Sequence, residues 1–440
     1  MQTRSEDYQT IMADVAHTVE WQIIINDVLY TQDDIIFEDG SGLEPRLTCQ
    51  LFGDSEPEVG KATAAQFSCA ILEVPGAVSR LASIQPQYRL RAGNSASEWI
   101  TLGTFFLDTR QTDKLTGALM LTCFDRMLMA DGKGGVPYYE ISSFTSWPQP
   151  MSAVAHEIAG KIFVQIDPRT TIRTGAGYMV GDPGDMTMRE VLGYIAAAHG
   201  GNWIITPAGK LRLVPLTGGT DTYTLASDAN GLSTAPAFQA WSGVKIIAGE
   251  DAVYEAGDDS GRVLEVECPW ATQATANDIL TDISGKRYQP YTASGAIIDM
   301  ALELGDIVTV GQTGDQVTGP VIAMDITAGG IEQANISAPG EGELNHEYPY
   351  INLTRRRIRR VQKEIEDLEE TVDEKIDETI TIKLLRAQII DFSGWENGYF
   401  TETLDDGSNI TYGVEFDAEG RPITITDGDH SCTVVWEAGE

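Results

Sequence analysis

Basic residues are scarce in this sequence of 440 residues: 30 Lys and Arg stand against 66 Asp and Glu, a formal net charge of −36. A chain so short of cations does not hold DNA, RNA or an anionic membrane unaided, because that affinity comes from counterion release around Lys and Arg. The same imbalance favours solubility, and any acid-lined surface repels polyanions. Cysteine is also sparse. Cys49, Cys69, Cys123, Cys268 and Cys432 are scattered, odd in number and form no CxxC pair. The pattern argues against a disulfide framework and predicts buried free thiols. No apolar run reaches 18 residues, and no apolar stretch marks the N-terminus. A transmembrane span and a secretory signal are therefore not expected.

Catalytic and cofactor motifs are missing as well. The histidines are His17, His156, His199, His346 and His430. "HEIAGK" is not HExxH, since Gly160 takes the place of the second histidine, so the zincin arrangement fails. Gly60-Lys61 is followed by Ala62 rather than the Ser or Thr that reaches Mg²⁺ in a P-loop. "GAGYMVG" has close glycines but neither a full GxGxxG nor a βαβ context, and reads as a loop. GxSxG is absent. Carboxylates are too plentiful to single out a catalytic pair. "DDGSN" and "DGDH" fit turns better than an EF-hand loop. The expectation is a protein without catalytic residues, cofactor or bound metal.

What is present is β structure at short, regular spacing. "VEWQIIINDVLY", "QFSCAILEV", "QYRLRAG", "WITLGTFFLDTRQTD" and "GALMLTCFDRMLM" are strand-like segments separated by Gly, Pro, Asn and Ser clusters. They predict an antiparallel β-barrel or sandwich over residues 1–135. Residues 136–215 read as a small α+β unit. Val154, Ile158 and Ile162 share one helical face. Thr187 and Glu190 form a TxxE capping box ahead of Val191, Leu192 and Ile195, and Gly200 and Gly201 stop that helix. "NWIITPAGKLRLVPL" reads as a hairpin around a Pro-Ala-Gly turn. Period-two alternation returns over 216–343, interrupted by a short helix carrying Ile279 and Ile283, and predicts a second barrel. Residues 344–390 hold a linker rich in Gly, Pro and Glu and then a heptad segment. Residues 391–440 read as a small β module with a hairpin turning at Glu419-Gly420.

The heptad segment is the most specific feature. Ile351, Ile358, Val361, Ile365, Leu368, Val372 and Ile376 form an apolar seam at steps of three and four, which one helix cannot bury alone. Arg355, Arg356, Arg357, Arg359 and Arg360 open the helix and Glu364, Glu366, Asp367, Glu369 and Glu370 follow. A basic first turn opposes the helix dipole, so these charges are placed for a partner. Arg357, Ile358, Val361 and Gln362 resemble an Arg-h-x-x-h-Glu trimerisation signature with Gln in the last place. A parallel homotrimer is the expectation, with β-branched a positions also compatible with a dimer.

Four stretches resemble one known family: "EVGKATAAQFSCAI" (58–71), "WITLGTFFLDTRQTD" with "LMLTCFDRML" (99–128), "TMREVLGYIAAAHGGNWIITPAGKLRL" (187–213), and "LELGDIVTV" through "ISAPGEGE" (302–343). The family is the tail hub, or tail-associated baseplate hub protein, of tailed phages and related contractile particles. The resemblance implies two tail-tube-like β-barrels per chain in a homotrimeric ring that joins a six-fold tail tube to a three-fold tip. It implies a virion location at the distal tip of the tail. The implied partners are further copies of the chain, the distal tail protein or tail tube above, the tape-measure protein, tip or receptor-binding proteins, and DNA in transit, with no stable membrane insertion. About fifty residues follow the coil, too few for the lytic domain of many relatives. Two other classes are weighed. An adhesin would use C-terminal aromatics, with Trp395, Tyr399 and Trp436 as candidate glycan contacts; a cell-wall hydrolase would need an unrecognised site. The acid excess further predicts an acidic lining for the DNA passage.

Overall fold

The computed structural model describes residues 1–340 except 15, 38–42, 54–55, 73–77, 80, 115–116, 133–134, 220–221, 225–228, 250–251, 298, 313–314 and 330–332. It also describes four strands between 399 and 433. The chain divides into two compact units, Met1–Asn345 and His346–Glu440.

Alternation builds the first strands. In Thr18–Ile25 the side chains of Val19, Trp21, Ile23 and Ile25 turn inward and their neighbours outward, the period of a half-buried strand. Asn26 and Asp27 then take φ of 47° and 65°. Left-handed backbone at both central residues makes a two-residue turn whose twist suits the strands it joins, and Ile25 pairs with Val28 across it.

A 13-stranded sheet dominates the first unit. Eight of its strands form two antiparallel blocks of four. The first block runs Arg46–Gln50, Gln66–Ile71, Leu119–Phe124, Phe105–Thr112 across the sheet. The second runs Ala229–Thr234, Tyr291–Ile297, Gln333–Ala338, Ala323–Thr327. Numbered in chain order, each block has the spatial order first, second, fourth, third. The blocks therefore follow one another in the same sense, and Ala323–Thr327 of the second pairs antiparallel with Arg46–Gln50 of the first, Ile326 opposite Leu47. Beyond Phe105–Thr112 the sheet continues through Ser83–Ala92, Thr18–Ile25 and Val28–Tyr30. Among the described residues no sheet closes into a barrel. The chain is mainly β, as expected, but the two predicted barrels are halves of one open sheet.

Between the halves lies α+β structure. Thr187 caps Met188–Ala198 through the predicted box with Glu190. Val191, Leu192 and Ile195 are buried, and Gly200 takes φ 62° beyond the helix end. Gly201–Ile205 and Lys210–Pro215 make the expected hairpin. Met151–Lys161 buries Val154 and Ile158. The strand ending at Phe124 is shorter than its alternation suggested. Asp125 accepts from the Met127 amide at 2.9 Å and starts a 3₁₀ turn, Arg126–Asp131. Trp241–Ile247 lies between Val253–Gly257 and Arg262–Glu267 in a separate three-stranded sheet, parallel to the latter. The helix Gln273–Ile283 buries Ile279 and Ile283. In the second unit, Tyr399–Thr403, Asn409–Phe416, Pro422–Thr426 and Ser431–Thr433 form an antiparallel meander. The predicted turn at Glu419-Gly420 lies outside the described residues.

The segment after Glu58 joins this insert to the first block. The Gly60 amide donates to the Gly201 carbonyl at 2.9 Å and the Trp203 amide to the Lys61 carbonyl at 2.7 Å. Asn202, fully buried, accepts from the Lys61 amide and donates to the Glu58 carbonyl, each at 2.9 Å. Such an approach needs glycine on both sides. Gly60 has φ 87°, and a Cβ on Gly193 would lie 2.7 Å from the Gly60 carbonyl oxygen. Gly193→Val is therefore expected to destabilise the fold by about 2 kcal/mol through overpacking. Thermal unfolding checks this, and an unchanged midpoint refutes the contact's role.

Candidate functional site

One surface of the eight paired strands faces the core and the other faces solvent. Leu47, Phe67, Leu121, Ala293, Ile326 and Ile336 are buried on the first face. On the second stand Thr48, Gln66, Thr122, Thr292, Ser233 and Asn335, all exposed or half-buried. Arg46 and Asp325 carry charge there and neutralise each other, with Arg46 Nε 2.7 Å from Asp325 Oδ1. Hydroxyl and amide groups dominate this face. Among the described residues of this face Asp325 is an acid, and it is paired.

The seam between the blocks is reinforced at both ends. The Leu51 amide donates to the Ile322 carbonyl and the Ala328 amide to the Pro45 carbonyl, each at 2.8 Å. The Trp21 indole N–H reaches the Gly329 carbonyl at 3.2 Å. A buried ion cluster then ties the insert to the second half. Glu303 accepts from Arg169 Nη1 at 2.5 Å and lies 3.5 Å from Arg212 Nη1. Arg169 also grips Asp167 with two bonds of 2.9 Å. Glu303 is 3% exposed and Asp167 also buried, and each has a cationic partner, as burial of charge requires. The Tyr8 hydroxyl donates to Asp299 at 2.9 Å, bringing the first helix, Glu6–Met12, to the same loop.

Titratable groups in the unit read as structural. Burial pushes the Cys49 and Cys69 thiols up to about 12 and Cys268 to about 11. Thiols so disfavoured as thiolates are poor nucleophiles. Cys49, Cys69, Cys123 and Cys268 are free and buried, as their sequence context predicted. Burial raises Asp125 to about 7, against the two backbone amides, of Ala65 and Met127, that favour its charged form. It lines a largely apolar cavity with Cys49, Leu102, Phe105, Ile204, Leu304 and Met324, where both halves and the insert meet. His156, in "HEIAGK", is exposed, with Nδ1 2.7 Å from the Ser152 carbonyl on its own helix. His199 is buried; its Nδ1–H donates to the Ile195 carbonyl at 2.7 Å and its Nε2 accepts from the Arg173 amide at 2.9 Å. Among the described residues no three His, Cys, Asp or Glu side chains gather as metal ligands, and no helix is long and apolar enough to cross a membrane.

The predicted oligomerisation residues, Ile351, Ile358, Val361, Ile365, Leu368, Val372 and Ile376, lie outside the described residues, as do Trp395 and Trp436. Tyr399 opens the first strand of the C-terminal meander. What the sequence reading missed is the seam. Nothing in "RLTCQ" or "AMDIT" signals that these strands pair across 279 positions.

The fold defines a mainly β chain with one long sheet whose solvent-facing side carries chiefly hydroxyl and amide groups among the described residues. No family model matches the sequence, and no curated protein does. Solved structures similar in fold include the tail protein from Neisseria meningitidis MC58, with TM-score 0.46 and 11% identity over 73% of this chain and 96% of that one. Another is the 43 kDa tail protein of prophage MuSo2 from Shewanella oneidensis, with TM-score 0.46 and 11% identity over 73% and 98%. A third is the prophage tail protein gp18 from Listeria monocytogenes EGD-e, with TM-score 0.44 and 9% identity over 73% and 95%.

Burial lowers His199 to about 4, whereas an unfolded histidine takes its proton near 6.5. The folded state thus binds fewer protons in that window, and stability falls as pH drops from about 6.5 to 4. Relative to His199→Gln, the wild-type protein is expected to lose about 2.5 kcal/mol of unfolding free energy over that range. Urea titrations at several pH values measure it. Parallel pH profiles for the two proteins assign the loss to another group.

Proposed function

We propose that this chain is a structural virion protein, the homotrimeric hub of a phage tail. It joins the six-fold tail tube to a three-fold tip and encloses the DNA passage. The observation that carries the reading is the repeated strand order: one chain places two like blocks side by side in the same sense, in one sheet. A chain with two equivalent wall segments is what a three-fold assembly needs to match a six-fold one. Three chains with eight such strands each supply about 24; at a spacing of ~4.8 Å the wall has a circumference of roughly 115 Å and a diameter of roughly 37 Å between backbones before strand tilt. That leaves room for a duplex inside a layer of side chains.

The solvent-facing side of the eight strands, where Arg46 and Asp325 neutralise each other, supports the same role. Phosphate is held by Lys and Arg through salt-dependent contacts, and a lining of Ser, Thr, Asn and Gln offers none. Passing DNA is then neither trapped by the wall nor strongly repelled by it. Coil residues 351–376 hold the three-fold register below the ring. The hub's partners are the distal tail protein or tail tube above, the tape-measure protein, and tip or receptor-binding proteins below. Its role is non-enzymatic, without cofactor.

Sedimentation of the purified chain is expected to give a trimer. Replacing Ile358, Ile365 and Leu368 together by Ser removes the seam's apolar burial and is expected to shift the population toward monomer, with partial retention through ring contacts. A monomeric wild-type protein refutes the hub, and an unchanged trimer in the variant removes the coil as organiser.

A further inference from the structure

The helix Met151–Lys161 ends in a turn that ordinarily takes glycine. The Phe163 amide donates to the Gly160 carbonyl at 3.1 Å and the Val164 amide to the Ala159 carbonyl at 2.9 Å, which puts Phe163 at the left-handed position of a Schellman motif. Its φ is 58°, a conformation that is costly for a residue with a Cβ and free for glycine. The ring gains no burial in return, since it is 75% exposed. A strained and unburied aromatic contributes little to the fold, and such outliers gather where function needs them. Beside it stands an unpaired cation. The Arg126 Cζ lies 4.2 Å from the centre of the buried Phe106 ring and 5.7 Å from that of Phe163. Phe106 comes from the strand Phe105–Thr112 and Arg126 from the 3₁₀ turn Arg126–Asp131. Among the described residues Arg126 meets no carboxylate; its Nη1 is 3.6 Å from the Met129 sulfur. The acids on the neighbouring elements are engaged. Asp125 accepts from the Ala65 and Met127 amides. Asp131 pairs with Arg189 at 2.7 Å, and Glu157 accepts from Ser142 at 2.9 Å and pairs with Lys161 at 3.6 Å. Burial lowers the Arg126 pKa with no carboxylate opposing it.

We propose that Phe106, Arg126 and Phe163 form a docking site for an acidic, apolar peptide segment of a partner protein. A carboxylate of that segment pairs with the Arg126 guanidinium while a neighbouring apolar side chain covers the Phe163 ring. Charge complementarity selects the occupant. A guanidinium held over aromatic rings keeps its N–H groups for a planar acceptor, and a carboxylate accepts from two of them at once. Covering Phe163 removes from water an apolar surface that the fold leaves exposed. An aromatic anchor beside an arginine is also the pairing that dominates the energetics of protein interfaces. A nucleic acid fits less well. Its backbone needs several cations in line, and the neighbouring Lys161 and Arg189 are already neutralised. A peptide needs one carboxylate. The proposal does not rest on the hub reading, because every residue in the site belongs to a single chain.

Selection from a displayed heptapeptide library against the full chain tests this, with affinities of the selected peptides then measured by fluorescence polarisation. Enrichment of peptides carrying Asp or Glu beside Leu, Phe or Trp is expected. Their affinity is expected to fall about tenfold or more in Arg126→Gln and in Phe163→Gly, as for the loss of an interface anchor. Arg126→Lys keeps the charge without the planar fork and is expected to lose less. Phe163→Gly relieves the left-handed strain, so its thermal midpoint is expected to rise rather than fall, which separates its lost affinity from unfolding. Enrichment of no peptide, or of peptides that bind both variants as well as wild type, overturns the site. A lower midpoint in Phe163→Gly shows that the ring serves the fold and overturns it too. A fluorescent oligothymidylate that binds wild type and is lost in the same variants, where acidic peptides do not bind, assigns the cation to phosphate and overturns the peptide.

Discussion

The ladder between Ala323–Thr327 and Arg46–Gln50 is the constraint on which the rest depends. It joins residues 279 positions apart, so it forms only after a long loop closes. The entropic cost of closure grows only slowly with loop length, and the return is a continuous sheet. Leu47, Cys49, Met324 and Ile326 bury on one side of the seam, while Arg46 and Asp325 pair on the other. The bonds at Leu51 and Ala328 lengthen the ladder beyond the strands themselves.

With the halves joined in this way, the structure between them is positioned rather than free. The insert is pinned to the first block by Gly60, Lys61 and Asn202, and to the loop preceding Ile307–Gln312 by Arg169 and Arg212 on Glu303. These contacts differ in kind. The first is backbone approach that any side chain at Gly193 would block. The second is a buried charge set whose members each need the others, because an unpaired buried ion costs several kcal/mol. The insert is thus held by two attachments of unlike chemistry.

On the solvent-facing side of the eight strands the described charges of Arg46 and Asp325 are paired with each other. Net charge describes the whole chain, and its field acts where the acids stand. The alternation of a strand places Thr48, Thr122, Thr292 and Asn335 opposite the core, so local residue choice sets the polarity of that face.

Local structure was legible in the sequence wherever a local rule governs it. The Thr187–Glu190 capping box, the Pro-Ala-Gly hairpin and the strand Thr18–Ile25 all follow from spacing within a few residues. The heptad seam at 351–376 is a sequence reading of the same kind that lies outside the described residues. The 3₁₀ turn after Phe124 escaped because Met127 and Met129 continue the alternation while Asp125 caps a new element. The pairing of blocks escaped for a deeper reason. Strand composition specifies a face to be buried and not the neighbour along an edge, since backbone hydrogen bonds are alike for every residue except proline. Which strand lies beside Arg46–Gln50 was decided only by tertiary packing, in which Leu47, Met324 and Ile326 are buried together at the seam. The residues determined that there would be strands; the tertiary structure decided that two blocks of them join in one sheet.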